Sequence, residues 1–84
     1  MQLWKVAIIK RLHDSTFNKF DQLRIDGYVP DDALCEFLGK LEKLNLIFFT
    51  GEFNIATTKR GNKIFALFLW LVKMKLHLRR ADMK

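Results

Sequence analysis

Of 84 residues only one, Cys35, is a cysteine. A lone cysteine excludes an intramolecular disulfide, and with His13 and His77 as the only histidines it cannot build a Cys-based zinc site. A reducing setting is expected, cytoplasmic, nucleoid-associated or viral within a host cell. Long apolar runs are missing as well: the longest, Ile64 to Val72, has nine residues, about half of the ~18 that suggest a membrane-spanning helix. The N-terminal MQLWKVAIIKRLH has no small-residue cleavage site and is interrupted by Lys5 and Lys10, so no secretory signal is read there. A soluble protein with no membrane partner is expected. Internal repeats, low-complexity segments and interdomain linkers are also absent from the sequence.

Catalytic groupings are equally scarce. His13, Asp14 and Ser15 supply the residue types of a hydrolytic triad, but adjacent positions in a helix-ending turn cannot set a nucleophile, a base and an orienting acid in line, and capping accounts for them. Asp31 and Asp32 are neighbours on a helix and point about 100° apart, so capping explains this pair too. Gly51 and Gly61 lack the spacing of a phosphate-binding loop. No enzymatic activity, metal or cofactor is expected.

Half of the residues are apolar and 13% are aromatic, with eight Phe and two Trp. A chain this short buries roughly 60 to 65% of the surface it exposes when unfolded. Either the core is rich in rings or some rings cover a subunit interface, and both are expected. The net charge of +6 is uneven. Residues 1 to 13 carry three bases and no acid, residues 14 to 52 carry eight acids against four bases, and from Lys59 onward eight bases face Asp82 alone. The basic ends favour contact with a polyanion.

The stretch from Pro30 to Gly61 organises the rest. Leu34, Phe37, Leu38, Leu41 and Leu44 recur at helical spacing and predict an amphipathic helix over 30–44. Asn45 suits the left-handed conformation that ends a helix. Leu46 to Phe49 is β-prone, Thr50-Gly51-Glu52 turns the chain, and Phe53 to Thr57 alternates as a half-buried return strand, giving a hairpin near 46–57. Thr58 is placed to cap a helix starting at Lys59.

The run LGKLEKLNLIFFTGEFNIATTKRGNKIF resembles the winged helix-turn-helix superfamily, in which a recognition helix passes through a β-hairpin wing into a last helix by way of a threonine-lysine-glycine turn. It is most similar to small archaeal and archaeal-virus members that dimerise through that last helix. Asn45 stands where glycine is common, and the wing is short. The resemblance implies an α+β fold with a three-helix core, a short wing and a long C-terminal dimerisation helix. It also implies a DNA-binding transcriptional regulator.

Upstream, Trp4, Ile8 and Leu12 with Leu3 and Ala7 form one stripe of a helix over 2–13, while Val6 and Ile9 lie off it and suggest a second subunit as their cover. Asp14-Ser15-Thr16 reads as the cap of a second helix over 15–24 that places Phe17, Phe20 and Leu23 against the core. Asp26-Gly27 signals a turn, and Pro30 suits the first turn of the next helix, with Asp31 and Asp32 at its positive end. The last helix, 59–80, is apolar around most of its circumference, and one small domain over 1–84 cannot wrap it, so its second face should meet a symmetry mate. Trp70, Leu71, Met74 and Leu78 are the expected centre of that homodimer contact, helped by Val6 and Ile9.

Candidate contacts to double-stranded DNA are Lys19, Gly39, Lys40, Lys43, Lys59, Arg60 and Lys63, the lysines and arginine on phosphates. Gly39 costs the helix about 1 kcal/mol against alanine and leaves room for close approach of a backbone. An ordinary solvated charge pattern is the plain alternative. The N-terminal half of the recognition helix is acidic, which weakens base readout in the major groove. Asp31, Asp32 and Glu36 therefore also offer a surface to a transcription or replication protein. Cys35 reads as a small, partly buried apolar residue.

Overall fold

The computed structural model describes the backbone of residues 2–82 and the side chains of residues 2–76. The order of elements is α1 (Leu3–Asp14), β1 (Phe17–Lys19), α2 (Phe20–Gly27), α3 (Asp31–Lys43), β2 (Ile47–Phe49), β3 (Asn54–Thr57) and α4 (Lys59–Asp82). The three strands make one antiparallel sheet in the order β1-β3-β2.

The core forms where the helical stripes converge on the inner face of that sheet. Ile8, Ile9 and Leu12 of α1, Leu23 of α2, Leu34, Phe37, Leu38 and Leu41 of α3, and Ile47 and Ile55 of the sheet are buried together with Phe65 of α4. The stripe expected on α3 is thus buried over four of its five members. Leu44, the fifth, is the C-cap residue and 56% exposed, because the helix has already ended. On α1 the rear of the stripe is exposed instead, with Leu3 at 86%.

Two expectations about the first third of the chain are corrected. Residues 15–24 are not one helix. Thr57 N–H donates to the Thr16 carbonyl (2.8 Å), Phe17 to Lys19 pair with β3, and α2 starts only at Phe20, whose N–H donates to the Phe53 carbonyl (2.9 Å). Ser15 hydroxyl donates to the Phe17 carbonyl rather than capping a helix. Pairing with a strand almost 40 residues away outweighed a local capping signal. As a result Phe17 is 70% exposed, not packed in the core. Ile9, expected at a subunit contact, is buried by its own chain, because α1 lies against both α2 and α4.

The turns are built as left-handed caps. At the end of α3, Asn45 has φ 61°, its N–H donates to Glu42 O (2.9 Å), and Leu46 N–H donates to Leu41 O (3.0 Å), a Schellman arrangement that satisfies the orphan carbonyls. At the end of α2 the same pattern recurs one residue later than the Asp26-Gly27 signal suggests. Tyr28, not Gly27, takes φ 52°, with Tyr28 N–H on Ile25 O and Val29 N–H on Arg24 O. Gly27 serves packing: a β-carbon there would stand 3.0 Å from Ile8 Cδ1. Arg11 of α1 grips Asp26 of α2, and Arg24 pairs with Asp31 (3.2 Å) across the turn into α3.

α4 buries only one side. Gly61 and Phe65 are buried, and Phe68 and Leu69 pack partly against the core, whereas Ile64, Leu67, Trp70, Leu71, Met74 and Leu76 are 41 to 57% exposed. At 24 residues the helix is about 36 Å long, and it accounts for the elongation of the molecule to 49 × 27 × 19 Å.

Candidate nucleic-acid interface

The junction of α3 and α4 places most of the candidate cations. Thr58 is the only residue between β3 and α4, and all of its polar groups are used there. Its N–H donates to Leu46 O (3.1 Å), its hydroxyl donates to Asn45 O (2.7 Å), and the same hydroxyl oxygen accepts from Gly61 N–H (2.9 Å), the N-cap bond expected of it. The two residues that follow the α3 cap, Asn45 and Leu46, and the first turn of α4 are thereby fastened to each other.

Lys43 ends α3 and Lys59 and Arg60 begin α4, so these three exposed cations share one end of the domain. Lys63 lies four residues beyond Lys59 on the helix face opposite Gly61, and is exposed. Lys40 stands one turn before the end of α3 and reaches Glu36 at 3.5 Å, both side chains well exposed. Lys19 is not brought to this cluster. It pairs with Asn54 at the hairpin-turn end of the sheet, roughly 15 Å along β3 from the start of α4.

The cations at the two helix ends differ in what the fold asks of them. Lys40 and Lys43 oppose the partial negative charge at the α3 C-terminus and are stabilising there. Lys59 and Arg60 add positive charge to the positive end of α4, whose first turn holds no acid. The acidic half of α3 is as the sequence suggests: Asp31, Asp32 and Glu36 are all exposed. Carboxylates with clearly lowered pKa lie elsewhere, Asp14 beside Lys10 and Asp26 beside Arg11, the hydrogen bond from the cation being the main cause in both. Among the described residues no group of His, Cys, Asp or Glu is arranged to hold a metal ion, and no helix is long and apolar enough to cross a membrane.

Gly39 is partly exposed, and a β-carbon there would meet nothing within 4 Å. It forms part of the wall of a groove of about 230 Å³ between α3 and the hairpin, with Phe20, Leu38, Phe49 and Phe53 among the other lining residues and Glu52 as its one carboxylate. Cys35 also lines it and is exposed rather than partly buried. The exposed rings around the sheet, Phe17, Phe48, Phe49 and Phe53, went unread in the sequence, where apolar alternation marks a ring but not whether anything covers it. Of the expected subunit contacts, Trp70, Leu71 and Met74 are exposed and Val6 is half-buried, while the side chain of Leu78 lies outside the described residues.

No protein-family model matches the chain, and no curated protein matches it. Among solved structures it is similar to ligand-free NadR, with a TM-score of 0.75 at 18% identity over 96% of this chain. It is also similar to NadR in complex with 4-hydroxyphenylacetate, with a TM-score of 0.79 at 18% identity over 99% of this chain. The fold is a winged helix. The helices α1, α2 and α3 form its three-helix core, β2 and β3 its wing, and β1 completes the sheet. The chain spans less than two thirds of NadR, 62% and 64% in the two structures.

Proposed function

We propose that the chain is a non-enzymatic DNA-binding protein and transcriptional regulator. It acts as a homodimer joined through α4 and grips duplex DNA with the outer face of α3 and the cations around the α3–α4 junction. The observation that carries this reading is the pair Lys59 and Arg60 in the first turn of α4. Each opposes the helix dipole at a cost of a few tenths of a kcal/mol, so stability does not explain them. The free N–H groups of a helix start, with cations added, attract a phosphate. Lys43, Lys63 and Lys40 extend the same charge along both helices, and Gly39 allows a backbone to come close to α3. Lys19 supplies a separate contact at the wing.

The bare apolar face of α4 supports the dimer. Trp70, Leu71 and Met74 stand on a helix that its own chain covers on one side only. The same assembly, in an intracellular setting, is what the sequence's resemblance to winged-helix proteins that dimerise through their last helix implies.

A fluorescence titration with random-sequence duplex at two salt concentrations tests the DNA reading. Affinity should fall steeply with salt, and Lys40→Glu and Arg60→Glu should each weaken it further. Absence of binding at low salt would sink it. The second reading, a protein–protein module, is favoured by the exposed Asp31, Asp32 and Glu36 of α3 and by the apolar groove that Cys35, Phe49 and Phe53 line. It would take over in that case.

A further inference from the structure

The outer face of the sheet carries rings that the core does not use. Ile47, Ile55 and Thr57 point inward and are buried, so the residues alternating with them point outward. Register sets Phe17 opposite Ala56 and Ala56 opposite Phe48, which makes one row across β1, β3 and β2 on that outer face. Ala56 is 1% exposed, while the rings on either side of it are 70% and 47% exposed. Lys19 and Asn54 pair in the neighbouring row of the same face. Beside Phe17 lies a cleft of about 250 Å³ lined by Phe17, Asn18, Lys19, Thr50 and Asn54. It combines an aromatic surface, a cation, amides and a hydroxyl, and among the described residues no carboxylate lines it.

We propose that this face binds a single-stranded stretch of nucleic acid. One base stacks on Phe17 in the cleft and another on Phe48, with Lys19 on the phosphate backbone. An exposed ring offers stacking to an unpaired base, whereas the bases of a duplex are already stacked on each other. Asn18, opposite Ile55, points to the inner face, where its amide donates to Ser15 O (2.9 Å), so the amide that this outer face offers to a base edge is that of Asn54, paired with Lys19. Charge separates this face from the groove between α3 and the wing, which is also ring-lined but holds Glu52 and repels phosphate. The inference shares only Lys19 with the duplex reading, its two rings belong to neither helix of that reading, and it does not rest on it.

The experiment is a fluorescence anisotropy titration of the full chain with a labelled oligothymidine and, separately, with a duplex. Wild type should bind the oligothymidine. Phe17→Ala and Phe48→Ala should each weaken that binding by about 5- to 150-fold and leave duplex affinity unchanged, while Phe17→Tyr retains it. Both rings are exposed, so the variants should stay folded, which circular dichroism checks. No binding of oligothymidine by wild type would overturn the proposal, as would equal affinity of the alanine variants. A drop in particle mass on Phe17→Ala with oligothymidine binding intact would make the rings a contact between copies and overturn it too. Loss of duplex binding alone would count only against the duplex reading.

Discussion

Gly61 sits so close to Leu46 that a β-carbon on it would overlap the Leu46 carbonyl oxygen. That carbonyl also accepts the Thr58 N–H, so it cannot move aside without breaking the junction. Alanine is the better helix former by about 1 kcal/mol, and Gly61→Ala should nevertheless destabilise, by about 2 to 3 kcal/mol. Gly39 is the internal control, with nothing near its added β-carbon. Gly39→Ala should stabilise by about 0.5 to 1 kcal/mol. Urea unfolding of the two variants should give opposite signs, and weaker duplex binding by Gly39→Ala would place DNA against that part of α3.

Tyr28 holds a left-handed conformation that bulky side chains avoid, and its side chain is 95% exposed. It therefore gains little packing in return for the strain. Tyr28→Asn should raise stability by about 0.5 to 1 kcal/mol, read as an increase in Tm. A fall would mean that the ring makes a contact worth more than the strain it imposes.

Arg11 holds the Asp26 carboxyl below its ordinary value of 3.8, with Gln22 assisting. A carboxylate with a depressed folded-state pKa contributes stability that is present above the unfolded pKa and lost as pH falls through the folded one. The tie between α1 and α2 should therefore persist at neutral pH and weaken only below about pH 3.8. In Arg11→Gln the titration of Asp26, followed by NMR of its carboxyl carbon, should move up toward 3.8. An unmoved titration would assign the shift to something other than Arg11.

Trp70 is 56% exposed on the bare side of α4. Light scattering at micromolar concentration should report about twice the 10.0 kDa chain mass, and Trp70→Glu should return it to one chain while leaving circular dichroism near native. A wild-type particle of one chain, or a Trp70→Glu variant unchanged in size, would remove the homodimer.

Elements with strong local signals were legible in the sequence. The period of Leu34, Phe37, Leu38 and Leu41 marked α3, Asn45 marked its end, and Thr58 marked the start of α4, because each acts through its own neighbours. β1 was not legible. Three residues carry no periodicity, and what makes Phe17 to Lys19 a strand is the register with Asn54 to Ala56. Ile9 misled for a related reason: the pattern shows that a second face is apolar, not that α2 and α4 lie on either side to cover it. In the candidate site, Lys43, Lys59 and Arg60 could be grouped from their positions around the hairpin. Lys19 could not be separated from them until β1 was placed.

The single-residue step from β3 into α4 leaves no hinge at the base of the long helix. Thr58 bonds to the end of α3 and to the start of α4, so a torque applied near Trp70 reaches Asn45 and Leu46 without slack. A tilt of α4 at its base would therefore have to be absorbed by the bonds that Thr58 makes to Asn45 and Leu46.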